Sequence, residues 1–225
     1  VSVSAFNSML DSCQAVIFDM DGVIADTEPL KFQAYQSVFQ DEYGVKLPVE
    51  DVAWRGMKEQ AVIAYWFNKL NLVGNPQKLI EAKRAAYYSL LMAGKITAVP
   101  GVIEFIKCLQ SLGKLRAVAT SSSRKEAVAV LDGLQLINLF DQIKTRDDVQ
   151  EMKPDPEVYL RVASALEVHP SKCIVFEDSE SGVSAAKAAD MFCVGVLTSF
   201  SRESLRFADV TINDFLDLDA CYASN

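Results

Sequence analysis

Histidine is almost absent from this chain: one in 225 residues, His169, beside Pro170 in an expected surface loop. A histidine-based triad is therefore not expected. Cysteine is sparse and unpatterned. Cys13, Cys108, Cys173, Cys193 and Cys221 are odd in number, lack C-x-x-C spacing and mostly sit in apolar runs. They read as buried, reduced thiols rather than a metal site, which points to a cytoplasmic or other reducing compartment. No stretch approaches the ~18 uninterrupted apolar residues of a transmembrane helix, so a transmembrane helix is excluded. Basic residues are outnumbered 22 to 30, giving a net charge of −8 with no basic cluster. That balance argues against a nucleic-acid partner, because phosphate backbones select basic surfaces. Repeats and low-complexity segments are missing too. Residues 1 to 12 lack the basic flank and apolar centre of a signal peptide and are expected to fray. The chain begins with valine, which leaves room for an upstream piece, a removed targeting segment included. Without a heptad pattern or a long apolar edge, a monomer is expected.

Half of the residues are apolar, enough for a sizeable core. The most informative of them lead into acid: Val16-Ile17-Phe18-Asp19-Met20-Asp21-Gly22-Val23 ends an apolar strand in two carboxylates and turns on glycine. Residues two apart in a strand share a face, so Asp19 and Asp21 can look into one crevice while Met20 points to the core. A D-x-D alone also describes a solvated strand end. Later segments repeat the design: Leu115 to Ala119 leads into Thr120-Ser121-Ser122-Ser123, and Cys173 to Phe176 into Glu177-Asp178-Ser179. Between them stands Lys153-Pro154-Asp155-Pro156, a lysine held by a proline-stiffened turn at a helix start. Short continuous apolar runs separated by helical patterns are those of parallel strands buried on both faces. Such sheets bind ligands at the carboxyl ends of their strands, where these polar groups should converge. An EF-hand reading of Asp19 and Asp21 fails, since the twelfth position, Leu30, is apolar.

Asp19-Met20-Asp21-Gly22-Val23, Thr120, Lys153 and Glu177-Asp178, in this order, resemble the four motifs of the haloacid dehalogenase superfamily. The segments reading DMDGV, ADTE and KPDPE are similar to the β-phosphoglucomutase subgroup and its small-molecule phosphatases. The resemblance implies an α/β doubly wound parallel sheet with an inserted α-helical cap. It implies that Asp19 attacks phosphorus to form an aspartyl phosphate, and that Asp21 is the general acid and base. Mg2+ would be held by Asp19, the Asp21 carbonyl and Asp178, with Glu177 joining directly or through water. Thr120, the Ser121 amide and Lys153 would hold the phosphoryl oxygens, and Gly22, Thr27 and Ser122 would stand with them at the phosphate. Ser122, Ser123 and Ser179 read equally well as helix caps. In the subgroup Asp21 favours phosphate esters over other leaving groups.

From Leu30 to about Gly94 helical periodicity replaces the strands, with Phe32, Tyr35, Val38, Phe39 and Tyr43 before Gly44, then Val62 to Leu70, then Pro76 to Leu91. The aromatic stripe reads as this bundle's own core. The expected domains are an α/β core over 13–29 and 98–225 and a cap over 30–97, joined by two adjacent crossings that would serve as a hinge. Helices are expected over 102–112, 125–131, 157–166 and 182–189, with a last strand at 210–213. Arg55 and Lys58, in a polar cap loop, could grip an anion or be merely solvated. Aligned by eye, mutases carry a histidine at Lys31 and basic residues at Glu59 and Ala85; these departures disfavour a mutase. The reading is a Mg2+-dependent phosphatase of a small phosphorylated metabolite, a sugar phosphate first. A hexose-phosphate mutase and a non-catalytic ligand-binding protein are the alternatives.

Overall fold

Ala15–Phe18 are apolar and buried on both faces, and strands of that kind belong at the centre of a sheet. The computed structural model describes residues 3–54 and 57–221. Its strands are β1 (Ala15–Phe18), β2 (Ala25–Asp26), β3 (Thr97–Ala98), β4 (Leu115–Ala119), β5 (Gln142–Lys144), β6 (Cys173–Glu177), β7 (Phe192–Val196) and β8 (Val210–Ile212). Its α-helices are α1 (Val3–Ser12), α2 (Glu28–Tyr43), α3 (Glu59–Leu70), α4 (Pro76–Met92), α5 (Val102–Ser111), α6 (Arg124–Gly133), α7 (Glu157–Ala165) and α8 (Glu180–Ala188). Six strands form one sheet in the order β5-β4-β1-β6-β7-β8, all parallel. The fold is the expected α/β doubly wound sheet. β2 and β3 make a separate antiparallel ribbon, Ala25 opposite Ala98.

The alternation of β1 sorts the core into two faces. Ile17 points into a cluster with Ala117, Val175, Tyr159 and Val162, contributed partly by α7, and with Val183 and Ala186 of α8. Phe18 points the other way, stacked on Phe176 at 5.4 Å, with Phe105, Phe140 and Phe215 around it. Contacts divide the chain into two compact units, one holding residues up to Asp26 and from Thr97 onward, the other Thr27–Ile96. The second unit has its own core, in which Tyr35, Phe39, Trp54, Ile63, Trp66 and Ile80 are buried together, so the aromatic stripe is interior packing. Gly44 ends α2 in the left-handed conformation (φ 68°), donating to Gln40 and Phe39 carbonyls. Asn75 caps α4 just ahead of Pro76.

One expectation needs correction. Residues 3 to 12 do not fray: they form α1, because Phe6 and Leu10, four apart, are buried on one side and Phe6 meets Phe176 edge-on at 6.1 Å. Lys114 Nζ also donates to the Asp11 and Cys13 carbonyls at the helix's C-terminal end. β5 has no apolar run to announce it: it is an edge strand of only three residues, Gln142-Ile143-Lys144, partly exposed throughout. Cys13, Cys173 and Cys193 are buried and unpaired and Cys108 is partly buried; the Cys221 side chain lies outside the described residues. Among the described residues no helix is long and apolar enough to cross a membrane.

Candidate active site

Parallel register brings the polar strand ends together. Phe18 is level with Val118 on one side and Phe176 on the other, and the Asp19 amide donates to the Phe176 carbonyl at 2.9 Å. Asp19 therefore neighbours Glu177, and Thr120 and Asp178 follow the flanking strands. Lys153 reaches the same point from the turn before α7. Its ammonium donates to Asp19 Oδ1 (2.7 Å), Glu177 Oε1 (2.6 Å) and the Ala119 carbonyl (3.0 Å), which uses all three of its protons. The lysine side chain is only 5% exposed, so this is a fixed charge rather than a surface lysine.

Asp21 stands one turn of chain beyond, half-buried, and accepts from Ser122 Oγ at 2.7 Å. Ser122 is thus a partner of Asp21, and its amide donates to Thr120 Oγ1 at 3.1 Å. Gly22 is required by space and conformation: its φ is 78°, and a Cβ there would lie 2.0 Å from Asp178 Oδ2. Its amide donates to the Ala25 carbonyl and its carbonyl accepts from Thr198 Oγ1, so neither group is open to a phosphate. No spacing ties Thr198 to the motif, so its place beside Gly22 is visible only in the fold. Thr120 is buried with its amide on the Lys144 carbonyl, and Ser121 is exposed. Ser123 closes a capping box with Glu126 on α6, and Ser179 caps α8 through the Gly182 amide. In the helical unit, Thr27 is the buried N-cap residue of α2 and Lys58 the exposed one of α3. Arg55 lies outside the described residues.

Electrostatics define what this site needs. Burial, with Glu177 and Asp21 nearby, pushes the Asp19 carboxyl up to about 7 against the pull of Lys153. Lys153 is itself buried, yet Asp19 and Glu177 hold its pKa above the ordinary lysine value. Asp19, Glu177 and Asp178 each offer a carboxylate oxygen, the three lying within 4.8 Å of one another. Lys153 meets two of these three carboxylates, so negative charge predominates among the four groups. Hard oxygen donors with that excess fit a divalent cation of the magnesium, manganese or calcium kind. Proximity does not make the three carboxylates equal. Glu177 already accepts five donors: Lys153 and the Tyr159 hydroxyl (2.8 Å) on Oε1, and the Asp178 amide, Ser179 amide and Ser179 hydroxyl on Oε2.

A parallel sheet with acids, a buried lysine and a threonine at its central carboxyl ends is the frame of a Rossmann-like hydrolase. The sequence pattern of the haloacid dehalogenase-like hydrolases matches residues 16–196, and the chain belongs to that family, in its phosphoglucomutase-like subgroup. It is a phosphohydrolase of that family. Phosphorylated carbohydrates phosphatase of Thermotoga maritima is 40% identical over 78% of this chain and 81% of its own length. Validoxylamine A 7'-phosphate phosphatase of Streptomyces hygroscopicus is 34% identical over 91% and 95%. The crystal structure of β-phosphoglucomutase from Clostridium difficile is similar with a TM-score of 0.73 at 26% identity, covering 92% of this chain and 93% of that one.

Proposed function

We propose that the chain is a Mg2+-dependent phosphatase of a small phosphorylated metabolite, a sugar phosphate first, working through an aspartyl phosphate on Asp19. The observation that carries this reading is the Lys153 ammonium on Asp19 Oδ1, beside an acid, Asp21, that has its own hydroxyl partner. A phosphate ester repels a carboxylate, so the attacking group needs fixed orientation and positive charge close by. Lys153 supplies both: three short contacts set its place, and it sets the rotation of the Asp19 carboxylate. The Asp19 oxygen forms its bond to phosphorus as the ester bond breaks, and Asp21 gives its proton to the departing oxygen. Water then attacks the aspartyl phosphate, Asp21 takes the proton back, and inorganic phosphate leaves with Asp19 restored. When bound, Mg2+ supplies the remaining charge between carboxylate and phosphate, with Asp19, Asp178 and the Asp21 carbonyl as the groups that would hold it. Thr120 and the Ser121 amide are the proposed donors to phosphoryl oxygens.

The relatives' names support the small phosphorylated-metabolite class, since one is a phosphatase of phosphorylated carbohydrates and another of validoxylamine A 7'-phosphate. Against a mutase stands Glu59, where a substrate-gripping base was expected by alignment: its carboxylate is tied to Lys83 and Arg84. The test is phosphate release across sugar, nucleotide and other metabolite phosphates, with Mg2+ and with a chelator. Release that needs Mg2+ and prefers one ester is expected. Isomerisation of β-glucose 1-phosphate exceeding release would establish the mutase, and silence from folded, Mg2+-binding protein would favour a binding role.

A further inference from the structure

Glu177 is the second carboxylate that Lys153 touches, and its surroundings are unusually complete. It is fully buried, and its two oxygens, with about four lone-pair sites, receive the five donors described above. Gly182 of α8 presses so closely that a Cβ there would fall 1.8 Å from Glu177 Oε1. On the other side the Tyr159 hydroxyl donates to Oε1 at 2.8 Å, and the Lys153 ammonium lies 4.9 Å from the centre of the Tyr159 ring. Tyr159 is wholly buried in the core beneath Ile17. A tyrosine placed there for packing alone would leave a polar atom to be satisfied, whereas this one ends on the carboxylate that anchors the lysine.

We infer that Tyr159 is a positioning residue: its hydroxyl keeps Glu177 turned to Lys153 and away from the cation, so that Asp19 and Asp178 are the side chains that take the metal. The inference rests on the phosphatase reading for what the site does, but not for how Glu177 is held. A carboxylate saturated with donors binds a metal only by breaking some of those bonds. Of the two donors on Oε1, the tyrosine is the one whose loss frees a lone pair without removing the lysine. Glu177 thereby serves as a counter-ion that holds Lys153 on Asp19 and on the Ala119 carbonyl.

The experiment is calorimetric titration of Mg2+ alone, then Ca2+ alone, into substrate-free wild type and Tyr159→Phe, with kcat and KM measured on the preferred ester. Freed Oε1 is expected to tighten Mg2+ binding about three-fold or more, and Ca2+, which accepts more oxygens, by more than that. Turnover is expected to fall about ten-fold with KM within about two-fold, because a Glu177 drawn toward the cation holds Lys153 less firmly on Asp19. Binding that is unchanged or weaker in Tyr159→Phe overturns the inference and leaves Tyr159 a packing residue. If that variant does not fold, Glu177→Gln and Asp178→Asn decide: loss of Mg2+ affinity about ten-fold greater in Asp178→Asn supports the inference, and equal losses overturn it. The titrations need no turnover. A wild type that releases no phosphate would remove the phosphatase reading while the isotherms still judge Tyr159.

Discussion

Asp19 and Asp21 are the same residue type two positions apart, yet their surroundings divide them. Asp19 is buried and held by an ammonium, the environment of a group that must keep one orientation; Asp21 is half-buried and held by a hydroxyl, which suits a group that exchanges a proton. Asp19→Asn is expected to reduce phosphate release by about four orders of magnitude or more. Its circular dichroism should match wild type, since asparagine can still accept from Lys153; appreciable turnover would rule out the covalent route. Asp21→Ala should act through the leaving group. Sugar phosphates, whose alkoxide needs a proton, are expected to lose about 100-fold or more in kcat, and p-nitrophenyl phosphate about ten-fold less than that. Equal losses on both esters would mean that Asp21 does not protonate the leaving oxygen. That Asp19 and Lys153 meet at one strand end was legible because it follows from residue type and spacing. The identity of Glu177's partners was not, because Tyr159 carries no signal beyond an apolar stripe and its hydroxyl meets Glu177 across 18 residues of sequence.

At the level of elements, the strands of strong apolar character were readable, and the weak ones were not. β1, β4 and β6 have runs buried on nearly every side chain, whereas β5 has three half-exposed residues and exists because β4 offers it a backbone edge. α1 likewise depends on tertiary contact, since Phe6 has no partner until Phe176 is folded. α3 and α4 show an ion pair no periodicity could reveal: Glu59 accepts Lys83 at 3.1 Å and Arg84 at 2.6 Å, and Lys83 lies about equally close to the Tyr35 and Tyr87 rings, at 5.0 and 5.1 Å. Burial raises the Glu59 pKa, but Arg84 and Lys83 outweigh it and leave the carboxyl below its ordinary 4.5. A carboxyl lowered in the folded state stabilises fully above its unfolded pKa, and that contribution disappears as pH falls through the folded value. Glu59→Gln should therefore be less stable than wild type at pH 7, with the gap closing as pH drops below 4.5. Both tryptophans, Trp54 and Trp66, sit in the Thr27–Ile96 unit, so tryptophan fluorescence during urea unfolding reads this unit directly. A gap that stays constant from pH 7 into acid would show that the pair is not what Glu59 contributes.

For the whole molecule, the division into two units means that two cores must be accounted for separately. The sheet unit contains every group placed in the proposed chemistry, from Asp19 to Asp178, and buries its apolar strands among its own helices. The helical unit contains Lys58, for which gripping an anion and plain solvation are equally open readings, and its interior is closed by its own aromatics. Its existence was readable from the change in hydrophobic period after Leu30. Which ester the protein prefers was not, because no spacing encodes the reach of loop side chains. Chemistry and selection should therefore separate on truncation. Replacing residues 32 to 92 by a short flexible bridge is expected to leave the Mg2+ isotherm within about three-fold of wild type, since the proposed cation ligands all lie in the sheet unit. Preference among esters should flatten: the ratio of kcat/KM between the best and the median substrate is expected to fall by about ten-fold or more, while p-nitrophenyl phosphate is still cleaved. Retention of the full preference would place selectivity in the sheet unit, and Lys58→Ala would then be expected to leave it untouched as well. Loss of Mg2+ binding in a truncation that still unfolds cooperatively would mean instead that the helical unit supplies a ligand, and the division of labour between the two units would fail.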